Sequence, residues 1–321
     1  MRFTTCWLVF SAVAAAQGTR YEARWDPQKS GVKDTLHSVC FIDTTHGWAS
    51  GDANVILKTT DGGKTWKSLQ ERQEGGTQFR AVTFVNANEG WAVSHGVLLH
   101  STDGGESWQP ARDLPGNLPG FGGGSVLGSA WYQMHEPTAG AGVFRTTDGG
   151  VTWQALPKDP PSNAYSAVFF ADPLHGWVSG DAKFALTEDG GKSWVEVQPS
   201  KANFTKIQFV NPQRGWLLPQ RGHTGGLLSS TDGGRTWTSQ YASVPTFKPL
   251  ADLQFLNEND GVLLSEEAVL ETTNGGKNWK TIGKMARYPH GLSFPKLDEG
   301  WVVGTNGSIL HYHLVPVAAG K

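Results

Sequence analysis

"TTDGGKTW", residues 59 to 66, returns five more times along the chain: "STDGGESW" at 101, "TTDGGVTW" at 146, "TEDGGKSW" at 187, "STDGGRTW" at 230 and "TTNGGKNW" at 272. The tryptophans that end the six copies, at 66, 108, 153, 194, 237 and 279, are spaced by 42, 45, 41, 43 and 42 residues. Within a copy, Gly62 and Gly63 admit the positive φ angles of a tight turn, and the Asp61 carboxylate can accept hydrogen bonds from that turn's own N–H groups. Each copy therefore reads as one hairpin of a repeated unit.

A second signal lies between the hairpins. Gly-Trp pairs at 47, 90, 176, 215 and 300 follow the strand-like runs "SVCFID", "AVTFVN", "AVFFAD", "KIQFVN" and "LSFPK", and Ala130-Trp131 and Gly261-Val262 fill the two gaps, giving seven units. Each unit reads as four short strands. In the first they are Val39 to Asp43, a strand starting at Trp48, Val55 to Thr59, and a strand opening at Trp66. No helical periodicity competes, and four strands in a repeat of this length predict a seven-bladed β-propeller with four-stranded blades. The third unit is the weakest, because its first strand falls in "PGFGGGSVLG", where a bulged or loop-like segment is expected. The seventh unit stops after "GWVVGTNGSILHYH" without a turn of its own, whereas "YEARWDPQ" at 21 to 28 is a strand with no unit before it. Pairing this N-terminal strand with the last blade closes the ring and removes a sheet edge.

The 321 residues carry 14 Trp and 41 Gly, a net charge of -2 and 17% charged residues. That balance gives no field that would draw a nucleic acid, which excludes such a partner. Arg2, the apolar run from Cys6 to Val13, and the small Ala14 and Ala16 read as a secretory signal over residues 1–16, with residues 17–321 forming the propeller. A periplasmic or secreted protein follows, and no later segment is long enough to span a membrane. Cys40 is then left alone, as a buried small residue.

The repeated aspartate reads as structural. Asp61, Asp103, Asp148, Asp189 and Asp232 occupy one place in the turn, and Asn274 takes it in the sixth copy, where an amide can accept the same bonds but cannot act as acid, base or nucleophile. Six turns spread around a ring cannot converge on one site. The ten histidines come from different blades without ligand spacing, so no metal is expected, and no cofactor motif is present. No residue is assigned a catalytic role.

The S/T-x-D-G-G-x-T/S-W turns resemble Asp-box (bacterial neuraminidase) repeats, and "GWAVSHGVLLHSTDGGESW" at 90 to 108 resembles the photosystem II assembly and stability factor family. The resemblance covers nearly all of the chain after the signal. It implies a seven-bladed propeller that binds protein as an assembly scaffold and is not an enzyme, and a monomer is expected. The alternative is a carbohydrate-binding or sialidase-like glycoside hydrolase propeller. Photosynthetic members are associated with an arginine cluster on one face; here Arg80 stands at a first-strand entrance, and its equivalents include His37, Ser166, Thr205, Ala251 and His290.

In a propeller the first-strand entrances share a face with the loops joining second to third strands, opposite the Asp-box turns. The box positions are nearly uniform and serve the repeated fold, while the other face varies from blade to blade. A partner is therefore expected on that varied face. Its candidate contacts are His37, Arg80, His95, Lys183, Arg221, His223 and His290.

Overall fold

The computed structural model describes residues 21–317, apart from 95–96, 111–120, 128, 135–142, 147, 149–151, 162–165, 181–182, 201–203, 221–225, 241–243, 245–248 and 286–287. The expected signal segment lies outside the described residues.

β1 (Tyr21–Lys29) precedes six sheets that are each one contiguous piece of chain. The first holds β2 (Leu36–Phe41), β3 (Gly47–Gly51), β4 (Ile56–Thr59) and β5 (Lys67–Ser68), and the second β6 (Phe79–Phe84), β7 (Gly90–Ser94), β8 (Val97–Ser101) and β9 (Gln109–Pro110). The third holds β10 (Phe121–Leu127), β11 (Ser129–Met134), β12 (Val143–Arg145) and β13 (Gln154–Ala155), and the fourth β14 (Ala167–Phe170), β15 (Gly176–Gly180), β16 (Lys183–Thr187) and β17 (Val195–Val197). The fifth holds β18 (Phe204–Phe209), β19 (Gly215–Pro219), β20 (Leu228–Ser230) and β21 (Thr238–Ser239), and the sixth β22 (Leu250–Phe255), β23 (Gly261–Ser265), β24 (Ala268–Thr272) and β25 (Lys280–Lys284). β26 (Pro289–Lys296), β27 (Glu299–Gly304) and β28 (Ser308–Pro316) complete the list, and their sheet runs β1-β28-β27-β26. Every pairing is antiparallel, and neighbouring sheets pack in chain order until β26 meets β2. The fold is an all-β propeller with four-stranded blades.

The expected count of seven is corrected: six blades are contiguous four-stranded repeats, each with its own Asp-box hairpin, and the remaining four-stranded sheet is no seventh repeat but is joined from both chain ends and has no box. The physical reason is visible in β28, which continues for nine residues where the other third strands turn. It pairs without a register shift from Ser308↔Lys29 to Pro316↔Tyr21. The outer strands are also shorter than expected. Trp66 does not open the fourth strand, which is only Lys67–Ser68, because its ring turns inward onto Phe41 at 5.9 Å and 87°.

That phenylalanine explains the Gly-Trp pairs. Phe41 ends the inner strand, and a Cβ on Gly47, its partner across the hairpin, would lie 2.4 Å from the ring. Its other face is covered by Trp301 of the composite blade, stacked at 3.5 Å and 6°. The same stack joins Trp48 to Phe84 (3.7 Å), Trp177 to Phe209 (3.6 Å) and Trp216 to Phe255 (3.4 Å), in each case from one blade to the next. Each pair is worth about 0.5–1.5 kcal/mol beyond its buried area. The indoles also reach the next blade's box, Trp48 Nε1 donating to Gly104 O (3.0 Å) and Trp177 Nε1 to Gly233 O (2.8 Å). The Gly leaves room for the blade's own Phe, and the Trp holds the neighbour's.

Candidate functional site

The inner strands do not start as regular strands. Pairing with the second strand skips one residue between Leu36 and Ser38, Phe79 and Ala81, Phe204 and Lys206, Leu250 and Asp252, and Pro289 and Gly291. The skipped residues are His37, Arg80, Thr205, Ala251 and His290. A β-bulge leaves its extra residue outside the ladder and re-aims its side chain, so these five varied entrance positions are freed from pairing, whereas Ser166 at the entrance of the fourth blade stays paired, its N–H donating to Ser179 O at 2.7 Å. The expected irregularity in the third blade is present as a shift between Phe121 and Gly124.

The bulges bring His37 and His290 together across the ring closure, with ring centroids 5.3 Å apart in an edge-on arrangement. His37 Nε2 lies 2.7 Å from Asp52 Oδ1, supplied by the loop between β3 and β4, and the His37 side chain is 13% exposed. Arg80 is exposed on the next blade, its Nη2 donating to Gln78 Oε1 at 2.7 Å. Lys183 opens β16 two blades further on and is exposed. His95, Arg221 and His223 lie outside the described residues.

Sequence reasoning missed the polar tie below the bulges. Lys206 on β18 pairs with Asp252 on β22, and Asp252 Oδ2 accepts the Leu292 N–H of β26 at 3.1 Å, linking three blades. One step further in, the Gln208 side-chain amide donates to Phe255 O and accepts from Phe255 N, both at 2.8 Å; Gln254 does the same for Phe294 at 2.9 and 2.8 Å. These side chains satisfy backbone groups on the inner strands that no fifth strand reaches. They give the varied face a rigid floor.

The Asp-box turns lie on the opposite face, and in five of them the first box glycine donates to the connection between first and second strands, as where Gly62 N donates to Thr45 O at 2.9 Å. Gly62 and Gly63 hold φ of 73° and 81°, angles that side chains resist. Asp61 accepts from Thr65 Oγ1 (2.6 Å), Thr65 N (2.9 Å) and Thr59 Oγ1 (2.8 Å). These bonds, the Thr65 hydroxyl first, hold its carboxyl below the usual carboxylate range. The corresponding bonds from Ser107 and Ser101, and from Ser193 and Thr187, lower Asp103 and Asp189 to about 2. Asn274 accepts from Thr272 Oγ1 (3.0 Å) and Asn278 N (2.9 Å). Carboxylates with these lone pairs engaged, one to a blade, are poorly placed for shared acid–base work. Among the described residues no group of three or more His, Cys, Asp or Glu is placed to hold a metal.

A profile of the family described as "Photosynthesis system II assembly factor YCF48" matches residues 18–167 and 195–289. The chain belongs to the YCF48 family. Among curated relatives of YCF48 type, the photosystem II assembly protein Ycf48 of Thermosynechococcus vestitus is 27% identical, over 82% of this chain and 88% of that protein. The photosystem II assembly lipoprotein Ycf48 of a Picosynechococcus strain is also 27% identical, over 93% and 90%. The photosystem II stability/assembly factor HCF136 of Arabidopsis thaliana is 24% identical, over 95% and 82%. A solved structure titled "YCF48 bound to D1 peptide" is 25% identical with a TM-score of 0.67, covering 90% of this chain and 96% of that one. A xyloglucanase from Xanthomonas campestris aligns with a TM-score of 0.69 at 14% identity, a likeness of fold alone.

Proposed function

We propose that this YCF48-family chain is a non-catalytic scaffold of the extracytoplasmic space that binds an extended segment of a partner protein during assembly of a complex. The observation that carries the reading is the relative bound to a peptide, which matches nearly the whole length of this chain. The photosystem II names of the curated relatives give the process, and their lipoprotein names favour a location beyond the cytoplasmic membrane. The surface we assign to the partner is the bulge face, with His37, Arg80, Lys183 and His290; His95, Arg221 and His223, which lie outside the described residues, are added from the sequence repeat alone. The uniform boxes Asp61, Asp103, Asp148, Asp189, Asp232 and Asn274 are assigned to the fold.

Two features of the bulge face support the assignment. Its side chains differ from blade to blade, so the surface is asymmetric, and it stands on inner strands tied by Lys206, Asp252, Gln208 and Gln254, which lowers the cost of ordering on binding. The test is an array of overlapping peptides covering the extracytoplasmic tails of the host's membrane proteins, probed with the chain from residue 17 onward. Saturable capture of a subset of peptides, with no turnover of chromogenic glycosides, fits the proposal. Glycoside turnover with no peptide bound would replace it with the hydrolase reading.

A further inference from the structure

The composite blade turns from β27 to β28 through Thr305, Asn306 and Gly307 on the bulge face, and this turn is pinned from both sides. Thr305 N donates to Tyr288 O at 3.3 Å, and Gly307 N donates to Asp34 O at 2.9 Å, in the segment that crosses from β1 to β2. The approach is close: a Cβ on Gly304 would lie 2.5 Å from Tyr288 O, and one on Gly307 would lie 2.1 Å from Val32 O. Tyr288 and Lys33 are thereby fixed by their backbones on either side of one turn, while their side chains are exposed. Tyr288 is 64% exposed, more than any other large apolar side chain among the described residues. The first, second and sixth blades have Thr35, Gln78 and Pro249 in its place, so the bare ring sets the composite blade apart from them.

A recess of about 620 Å³ opens beside the turn, with Val32, Met285 and Pro289 among its walls. The charged residues that line it are Lys29 and Lys33, both exposed, and no acid lines it among the described residues. Building on the bulge face as the partner surface, we propose that this corner is the partner's anchor. It takes an extended segment in which an apolar side chain covers the Tyr288 ring and enters the recess, and an acidic side chain close by in sequence meets Lys33 and Lys29. A bare aromatic ring on a pinned backbone offers a large contact area, and little of its freedom is left to lose on binding. Two ammonium groups without an acid beside them favour a carboxylate and oppose a lysine or arginine at the same place. Asn306, exposed at the tip of the turn, carries a donor and an acceptor for the segment's backbone between the two side chains.

The experiment selects a phage library of random linear peptides on the chain from residue 17 onward, then measures the enriched peptides by fluorescence polarisation. The enriched set should carry an apolar residue close to an Asp or Glu. Tyr288→Ala should weaken such a peptide about tenfold or more and Lys33→Glu about fivefold or more, with melting temperatures unchanged because both side chains are exposed. Tyr288→Phe keeps the ring and should bind as the parent does. No enrichment, an enriched set without the acidic residue, or parent-like binding in both Tyr288→Ala and Lys33→Glu would overturn the anchor. Two further variants separate that failure from failure of the face. If Arg80→Glu/Lys183→Glu weakens binding while Tyr288→Ala and Lys33→Glu do not, the face stands and the anchor falls; if only Lys64→Glu/Lys192→Glu on the box face weakens it, both fall.

Discussion

Replacing Asp103 separates what the box needs from what its aspartate adds. Asp103 accepts three bonds: Ser107 N at 2.9 Å, Ser101 Oγ at 2.9 Å and Ser107 Oγ at 2.6 Å. Asp103→Ala removes all three and leaves the buried Ser101 hydroxyl without the acceptor it points at. At about 1 kcal/mol for each bond, discounted because Ser107 is exposed and reaches water, the loss comes to about 2 kcal/mol. Asp103→Asn keeps two acceptors' worth of bonding at Oδ1 but turns an amine toward Ser107 Oγ, for a loss of about 1 kcal/mol. The sixth box shows how this is accommodated: Asn274 is accompanied by Asn278 where the other boxes have Ser or Thr. Asp103→Asn with Ser107→Asn should therefore match or improve on Asp103→Asn alone. Urea unfolding at neutral pH reads all three variants. The reasoning is refuted if the Ala variant is as stable as the parent, or if the Asn variant is as damaged as the Ala variant.

The same carboxylate gives a pH dependence. Asp103 titrates at about 2 in the folded chain and near 3.9 when unfolded, so its contribution is complete above about pH 4 and is lost as pH falls through the folded value; the gap between parent and Asp103→Asn should narrow from neutral pH to about pH 3 in urea titrations. Gly90→Ala places a Cβ 2.5 Å from the Phe84 ring and should cost about 1–3 kcal/mol, with much of that regained in Gly90→Ala/Phe84→Leu; unchanged urea midpoints would show that the close contact is not required. Removing residues 17–28 takes away eight of the nine register pairs of β1 and the bond from Trp25 Nε1 to Ile282 O at 2.8 Å. A truncated chain that melts with the parent would mean that closure contributes nothing.

The box hairpins were legible because their chemistry is local: a turn, two glycines and an aromatic at fixed spacing. The joining of the chain ends was legible because one strand lacked a unit and one unit lacked a strand. What the Gly-Trp pairs do was not, since Trp301 meets Phe41 from the far end of the chain and spacing alone does not say which blade an indole covers. The bulges left a readable trace that periodicity arguments overlooked. Leu36, Val39 and Phe41, like Phe79, Val82 and Phe84, are buried at a spacing of three and then two. Strict alternation permits only two, so an extra residue belongs in between. That spacing would have marked His37 and Arg80 as released from the ladder. Nothing local pointed to the Lys206–Asp252 tie, whose partners are on different blades.

The central claim is that the bulge face, and not the box face, binds the partner. Its most direct test is calorimetric titration of a peptide captured on the array into two double variants, Arg80→Glu/Lys183→Glu on the bulge face and Lys64→Glu/Lys192→Glu on the box face. The account predicts that the first weakens binding about tenfold or more with an unchanged melting temperature, while the second binds as the parent does. Parent-like affinity in the first variant with loss in the second would contradict it and move the site to the Asp-box face.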